Sequence, residues 1–128
     1  MVDIVELLKK QPDFYATNGV PEEDIRAAEQ MLELEFATDY RSYISTYGVV
    51  SFAGHELTGI CKSKRLNVVN VTLEERNNME SHSGWYVLER ANIDGIVIWQ
   101  DSNGSIYQQS PRTSAQKICN SLSEYIEW

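Results

Sequence analysis

Histidine and cysteine are the residues in this sequence best suited to hold a metal or to act as a nucleophile. His55 and His82 stand outside any HxH or HExxH pattern, and Cys61 and Cys119 form no CxxC pair. A metal site needs three or four such ligands at close spacing, so we expect no metal and no other cofactor. Neither cysteine has an activating base beside it in the sequence, and we expect both thiols to be reduced, buried and unreactive.

Two polar motifs match active-site loops only in part. Ser83 and Gly84 follow His82, but no GxSxG nucleophile elbow occurs, and a polar loop is the better interpretation. The run Asp101–Gly104 begins like a calcium loop but lacks the later glutamate, which favours a hairpin turn. The sequence also contains no glycine-rich phosphate-binding loop. It therefore predicts no catalytic residue, and a protein that is not an enzyme.

The charge of the chain indicates what kind of partner it would attract. There are 19 acidic and 11 basic residues, a formal charge of -8, and residues 1–40 hold ten of the acidic but three of the basic residues. This charge repels phosphate backbones, so we expect no direct binding to nucleic acid. The acidic excess either keeps the surface soluble and complements helix dipoles, or forms a docking surface for a basic partner protein. The candidate partner-binding residues are Glu22, Glu23, Glu29, Glu33 and Trp128.

Helices are predicted to position these candidates. An acidic helix is expected from Pro21 to about Leu34, with proline at its first position and its glutamates on the solvent face. A shorter helix over Val2–Lys10 precedes it and should end before Pro12. We expect a third helix to present an aromatic stripe, with Thr38 as its cap and with Gly48 as its stop. The residues of that stripe are Tyr40, Tyr43, Ile44 and Tyr47.

The aromatic stripe has two interpretations. It could stack on a ligand, but the regular helical spacing favours packing in a core. Further along, Val49–Ile60 predicts one or two short strands around a glycine turn. The segment Asn67–Glu80 favours a helix, although its beginning also fits a strand.

The second half of the chain is predicted to be mainly strand. Three runs rich in β-branched and aromatic residues indicate an antiparallel meander. The runs are Trp85–Arg90, Gly95–Gln100 and Ser105–Gln109, joined by turns at Asn92–Gly95 and Asp101–Gly104. The middle run is apolar on both faces and should be the central strand, covered by helices on at least one side.

The end of the chain is predicted to return to helix. Ser121–Glu124 is a capping-box pattern, which predicts a short final helix carrying Trp128, a residue that we expect to be exposed and free to anchor a partner. Just before it, Ala115–Cys119 fits either that helix or an extended segment.

Together these elements predict an α+β fold. We expect one domain over residues 1–128, with an antiparallel or mixed sheet of about four to six strands packed against several α-helices. The apolar runs are far shorter than a membrane span, and no secretory signal opens the sequence. We therefore expect a soluble cytoplasmic protein without a membrane partner.

Two consecutive runs carry a family resemblance. The acidic run Pro21–Leu32 leads into Phe36–Gly48, which follows the pattern L-P-x-D-Y-x-x-F-L-x-x-Y-G with Ala37 in the place of proline. This arrangement resembles the opening signature of the SMI1/KNR4 family, also called the SUKH superfamily. Weaker similarity covers most of the remaining chain, in Phe52–Ile60, Asn67–Thr72, Ile96–Trp99, Ser105–Tyr107 and Ser121–Ile126.

The resemblance implies an α+β domain without catalytic residues, of a kind found in bacteria as immunity proteins. Such proteins bind and neutralise cognate toxins, many of them nucleases, through surfaces that vary between members. We therefore expect an intracellular immunity protein that occludes the active site of a basic toxin in a stoichiometric complex. The alternatives are a non-catalytic regulatory or scaffolding interaction module and, in third place, an enzyme of an unfamiliar type.

Overall fold

The computed structural model of the chain describes residues 3–78, 83–91 and 94–128. The helices in these ranges are α1 (Ile4–Lys9), α2 (Glu22–Leu32), α3 (Thr38–Thr46), α4 (Val68–Asn78) and α5 (Leu122–Glu127). The strands are β1 (Tyr15–Asn18), β2 (Tyr47–Phe52), β3 (His55–Glu56), β4 (Trp85–Arg90), β5 (Val97–Asp101), β6 (Ile106–Gln109) and β7 (Gln116–Cys119). The predicted α+β class is confirmed.

The strands form two antiparallel sheets, where the sequence predicted a single sheet. One has the strand order β1-β2-β3 and the other β4-β5-β6-β7, which contains the predicted meander. The sheets meet where the backbone N–H of Thr58 donates to the carbonyl oxygen of Leu88 at 2.8 Å. Beside this bond, the N–H of Glu56 donates to the side chain of Glu89 rather than to a backbone carbonyl. At the same place, the pairing of β4 with β5 has a register shift between Val87 and Glu89, as in a β-bulge.

Helix α3 occupies the centre of the main core. It contacts α1, α2, α5 and β2, and it buries Tyr40, Tyr43 and Ile44 completely. The core interpretation of the aromatic stripe is confirmed for these residues. Tyr47 differs, because the helix ends at Thr46 and Tyr47 pairs with Asn18 of β1 as the first residue of β2.

Strand β5 is an interior strand with both faces covered, as its sequence predicts. Ile98 belongs to the main core, which also contains the apolar residues of α1, α2, α3 and α5. Val97 and Trp99 form a second apolar cluster with Val71 of α4 on the other face. Helices therefore lie on both sides of this sheet.

Several predicted boundaries need correction. Strand β1 was not predicted; it is short, mostly exposed and without alternating burial. Ala37, and not Thr38, is the N-cap of α3. The ambiguous segment Ala115–Cys119 is extended and forms β7. Some predicted features lie outside the described residues. They are the helix start at Val2, the helix end at Glu80, the residue His82 and part of the turn Asn92–Gly95.

Candidate functional site

Helix α2 buries one apolar face and presents an acidic surface to the solvent. Ile25, Ala28 and Leu32 recur at helical spacing and are buried. The first turn of the helix consists of carboxylates, which lie at the positive end of the helix dipole. These are Glu22, Glu23 and Asp24.

Arg41 of α3 pairs with two of the four glutamates proposed as docking residues. Its guanidinium lies 2.9 Å from Glu29 and also forms an ion pair with Glu22, which Arg26 contacts at 3.4 Å. Glu29 accepts a further hydrogen bond from the N–H of Phe36 at 2.9 Å, and its side chain is only 14% exposed. The predicted solvent position of Glu29 is therefore wrong. This part of α2 faces α3, and Glu29 fixes the two helices to each other.

Glu23 and Glu33 are placed differently. Both side chains are exposed, and neither forms an ion pair with another described residue. Glu33 ends α2 in the left-handed conformation, beside Leu32, whose carbonyl oxygen accepts a hydrogen bond from Arg76 of α4. Glu23 and Glu33 therefore offer charges that a basic partner could meet.

Trp128 is exposed, as predicted, but belongs to another surface. It is 70% exposed, and its ring stacks on Tyr125 with the centroids 6.2 Å apart. Its helix, α5, packs on α1, α3 and β7, whereas α2 packs on α3 and α4. The structure does not bring Trp128 together with the glutamates of α2.

A cleft of about 540 Å³ opens where α1, α3 and α5 begin, beside the turn between β5 and β6. Two carboxylates lie in its wall, and both already accept hydrogen bonds from the protein. Asp3 caps α1 through the N–H groups of Val5 and Glu6. Asp39 accepts from the N–H of Leu122 at 2.8 Å and from the amide of Gln100 at 3.1 Å. No sequence pattern pointed to this cleft, because its wall comes from several distant segments.

A buried carboxylate joins the two sheets to α5. Glu89 is almost fully buried and accepts hydrogen bonds from the hydroxyl of Tyr125 at 2.5 Å and from the N–H of Glu56 at 2.9 Å. Nδ1 of His55 lies 3.0 Å from the same carboxylate. Burial, together with the charge of Glu89, raises the pKa of Tyr125 above its usual range. Because both carboxylate oxygens have partners, we assign this cluster a structural role.

The remaining candidates have simple structural explanations. Asp101–Gly104 forms the predicted turn between β5 and β6. Cys119 is buried as predicted, but Cys61 is only half-buried, and its thiol donates to the carbonyl of Ser63 at 3.4 Å. The expectation that both thiols are buried is therefore confirmed for Cys119 and wrong for Cys61.

The described part of the chain offers neither a metal site nor a membrane-spanning helix. Across residues 3–78, 83–91 and 94–128, no group of three or more His, Cys, Asp or Glu side chains is arranged to hold a metal ion. Among the helices of those same ranges, none has the length and apolar character that crossing a membrane requires.

Comparison with known proteins agrees with this fold. A model of the SUKH_5 family, described as SMI1-KNR4 cell-wall, matches residues 1–128. No curated protein matches the sequence. The family match covers the full sequence, including the acidic helix and the aromatic helix after it. The chain therefore belongs to the SMI1-KNR4 (SUKH) family.

Proposed function

We propose that this chain is a cytoplasmic immunity protein that binds a basic, nuclease-type toxin. It neutralises the toxin by stoichiometric occlusion of the active site, without catalysis of its own. Membership of the SMI1-KNR4 family supports a protein-binding role. The observation that carries the proposal is the set of exposed carboxylates on and just beyond α2 that have no ion-pair partner among the described residues.

Those carboxylates suit a basic toxin for an electrostatic reason. A nuclease needs positive charge around its active site, because it binds a phosphate backbone there. Glu23, Asp24 and Glu33 are exposed, and none of them forms an ion pair with another described residue. Complementary charge speeds the encounter of two proteins and fixes their orientation.

The helix that carries the acidic surface is held in place by its neighbours α3 and α4. Arg41 holds Glu22 and Glu29 against α3, and Arg76 holds the C-terminal end of α2 against α4. A surface that is already ordered loses less conformational entropy when a partner binds. The paired glutamates therefore position the helix, while Glu23 and Glu33 meet the partner.

The test is co-expression with a toxin encoded beside this gene. We expect this chain to restore growth and to form an equimolar complex with the toxin. In purified form, the double variant Glu23→Lys with Glu33→Lys should associate at least about tenfold more slowly at low salt. Raising the ionic strength past about 0.15 M should narrow that difference, because the Debye length falls to about 8 Å.

The matched control is Glu6→Lys with Glu127→Lys, which changes the net charge equally on exposed residues of α1 and α5. We expect it to keep most of the association rate. Equal effects of the two double variants would contradict docking on α2. A complex that leaves the toxin active would instead favour the scaffolding alternative.

A further inference from the structure

Two exposed apolar side chains lie on α2 and α4, next to the acidic surface. Met31 is 64% exposed and Leu73 is 42% exposed, which makes them two of the few large apolar residues at the surface of the described chain. A single exposed apolar residue is ordinary. Two that border one helix contact form a patch that calls for an explanation.

Met31 and Leu73 both lie beside the contact between α2 and α4. Arg76 of α4 donates to the carbonyl oxygen of Leu32 at 3.3 Å, and Met31 directly precedes Leu32. Leu73 lies three residues before Arg76, on the same face of α4. Met31 follows Glu29 by two residues, about 200° around the helix, so it projects away from α3. Met31 and Leu73 therefore flank the same helix contact, and we call this pair the Met31–Leu73 patch.

Two exposed acidic residues of the α2 segment lie on the Met31 side of the Met31–Leu73 patch. Asp24 lies two turns before Met31 on the same side of α2, and Glu33 lies just after it. Both are exposed and form no ion pair with the described residues. Arg76, the nearby cation, donates to the backbone carbonyls of Leu32 and Trp85 and also interacts electrostatically with Glu33, whereas Asp24 has no such partner among the described residues. An apolar centre with a charged rim is the usual anatomy of a protein interface.

We propose that the Met31–Leu73 patch is the apolar centre of the docking surface for the basic partner. It receives an apolar side chain of that partner, while lysine or arginine side chains around that residue meet Asp24 and Glu33. This inference rests on the proposed function and adds the anchoring contact to it. Methionine suits such a contact, since its flexible thioether adapts to the shape of the incoming group.

The first test uses a defined probe, a synthetic amphipathic peptide of lysine and leucine. Methyl-labelled methionine gives one NMR signal for each of the three methionines, and Met31→Leu identifies the signal of Met31. We expect the peptide to shift this signal in a saturable manner. A matched peptide with alanine for leucine should bind at least about fivefold more weakly, because it lacks the apolar anchor.

Variants of this chain distinguish specific anchoring at the patch from non-specific hydrophobic binding. Met31→Ala with Leu73→Ala should weaken peptide binding at least about fivefold, whereas Tyr15→Ala, at another exposed apolar residue on β1, should change it less than about twofold. Thermal unfolding of each variant checks that the fold is kept. An unshifted Met31 signal, or equal binding of the alanine peptide, would overturn the proposal.

The toxin from the co-expression experiment provides the second test. Met31→Ala with Leu73→Ala should raise its dissociation rate at least about tenfold and leave the association rate nearly unchanged. If the toxin dissociates from this double variant at an unchanged rate, the Met31–Leu73 patch is not the anchoring contact. The proposed function is not affected by that result. If no toxin binds at all, the proposed function fails, and the peptide experiment still decides on the patch.

Discussion

The carboxylate of Asp39 accepts a hydrogen bond from the backbone N–H of Leu122 at 2.8 Å, across 83 positions of the chain. Its other oxygen accepts from the side-chain amide of Gln100 at 3.1 Å. One side chain thereby joins the first turn of α3 to the start of α5 and to β5. Helix α5 is thus held by a carboxylate from the first turn of α3.

Asp39→Asn tests this relationship. An amide has one acceptor oxygen where the carboxylate has two, so one of the two donors loses its partner. We expect the free energy of unfolding to fall by about 1.5 to 3 kcal/mol, as measured by urea denaturation. Asp24→Asn is the control, an exposed first-turn carboxylate of α2, and should cost about 0.3 to 1 kcal/mol through the dipole alone. If both variants lose the same free energy of unfolding, the two hydrogen bonds of Asp39 contribute nothing to stability beyond the dipole effect.

Tyr86 tests the buried polar network behind Asp39. Its hydroxyl accepts from the N–H of Ala37 at 3.0 Å and donates to Gln100 at 2.7 Å. Tyr86→Phe leaves both groups without that partner in the core, and we expect a loss of about 1 to 3 kcal/mol. Tyr107→Phe, whose hydroxyl bonds to Asp101 in a half-buried setting, should cost about 0.5 to 1.5 kcal/mol. The prediction fails if Tyr107→Phe proves the more damaging change.

Tyr40 tests the core interpretation of the aromatic stripe. It is fully buried among the rings of Phe36, Tyr43 and Tyr86. Tyr40→Ala should lower the free energy of unfolding by about 3 to 5 kcal/mol, because it leaves a cavity in the core. Tyr15→Ala, at a residue that is 69% exposed, should stay within about 0.5 kcal/mol of the original chain. An unchanged denaturation midpoint for Tyr40→Ala would rule out this packing.

The buried tyrosines predict a loss of stability in alkali. Burial raises the pKa of Tyr40, Tyr43 and Tyr86 above the ordinary value of 10.0. A raised pKa in the folded state gives stability that is complete below that ordinary value and is lost as the pH rises above it. We expect these tyrosines to ionise together with unfolding, seen as one transition by ultraviolet absorbance and circular dichroism. Independent ionisation of all seven tyrosines in a folded chain would contradict this.

Local periodicity accounts for what could be predicted. The buried face of α2, the burial of Tyr40 and Tyr43, and the three strands of the meander follow from spacings within a few residues of one another. Such spacing selects the face of an element that must leave water, whatever lies opposite. Tyr47 shows what local spacing misses. Its spacing predicts a place on the helix, but it pairs with Asn18 and belongs to β2.

The partners of polar groups were decided only by the tertiary structure. Glu29 looks like any solvent glutamate in the sequence, but Arg41 of α3 and the N–H of Phe36 take it out of solvent. The hydrogen bond between Asp39 and Leu122 depends on where α5 packs in the folded chain. Hydrophobic burial needs only a neighbouring apolar surface, whereas a hydrogen bond or an ion pair needs one particular atom at one distance. That atom often comes from a distant segment, so its position follows from the packing of the whole chain and not from local sequence.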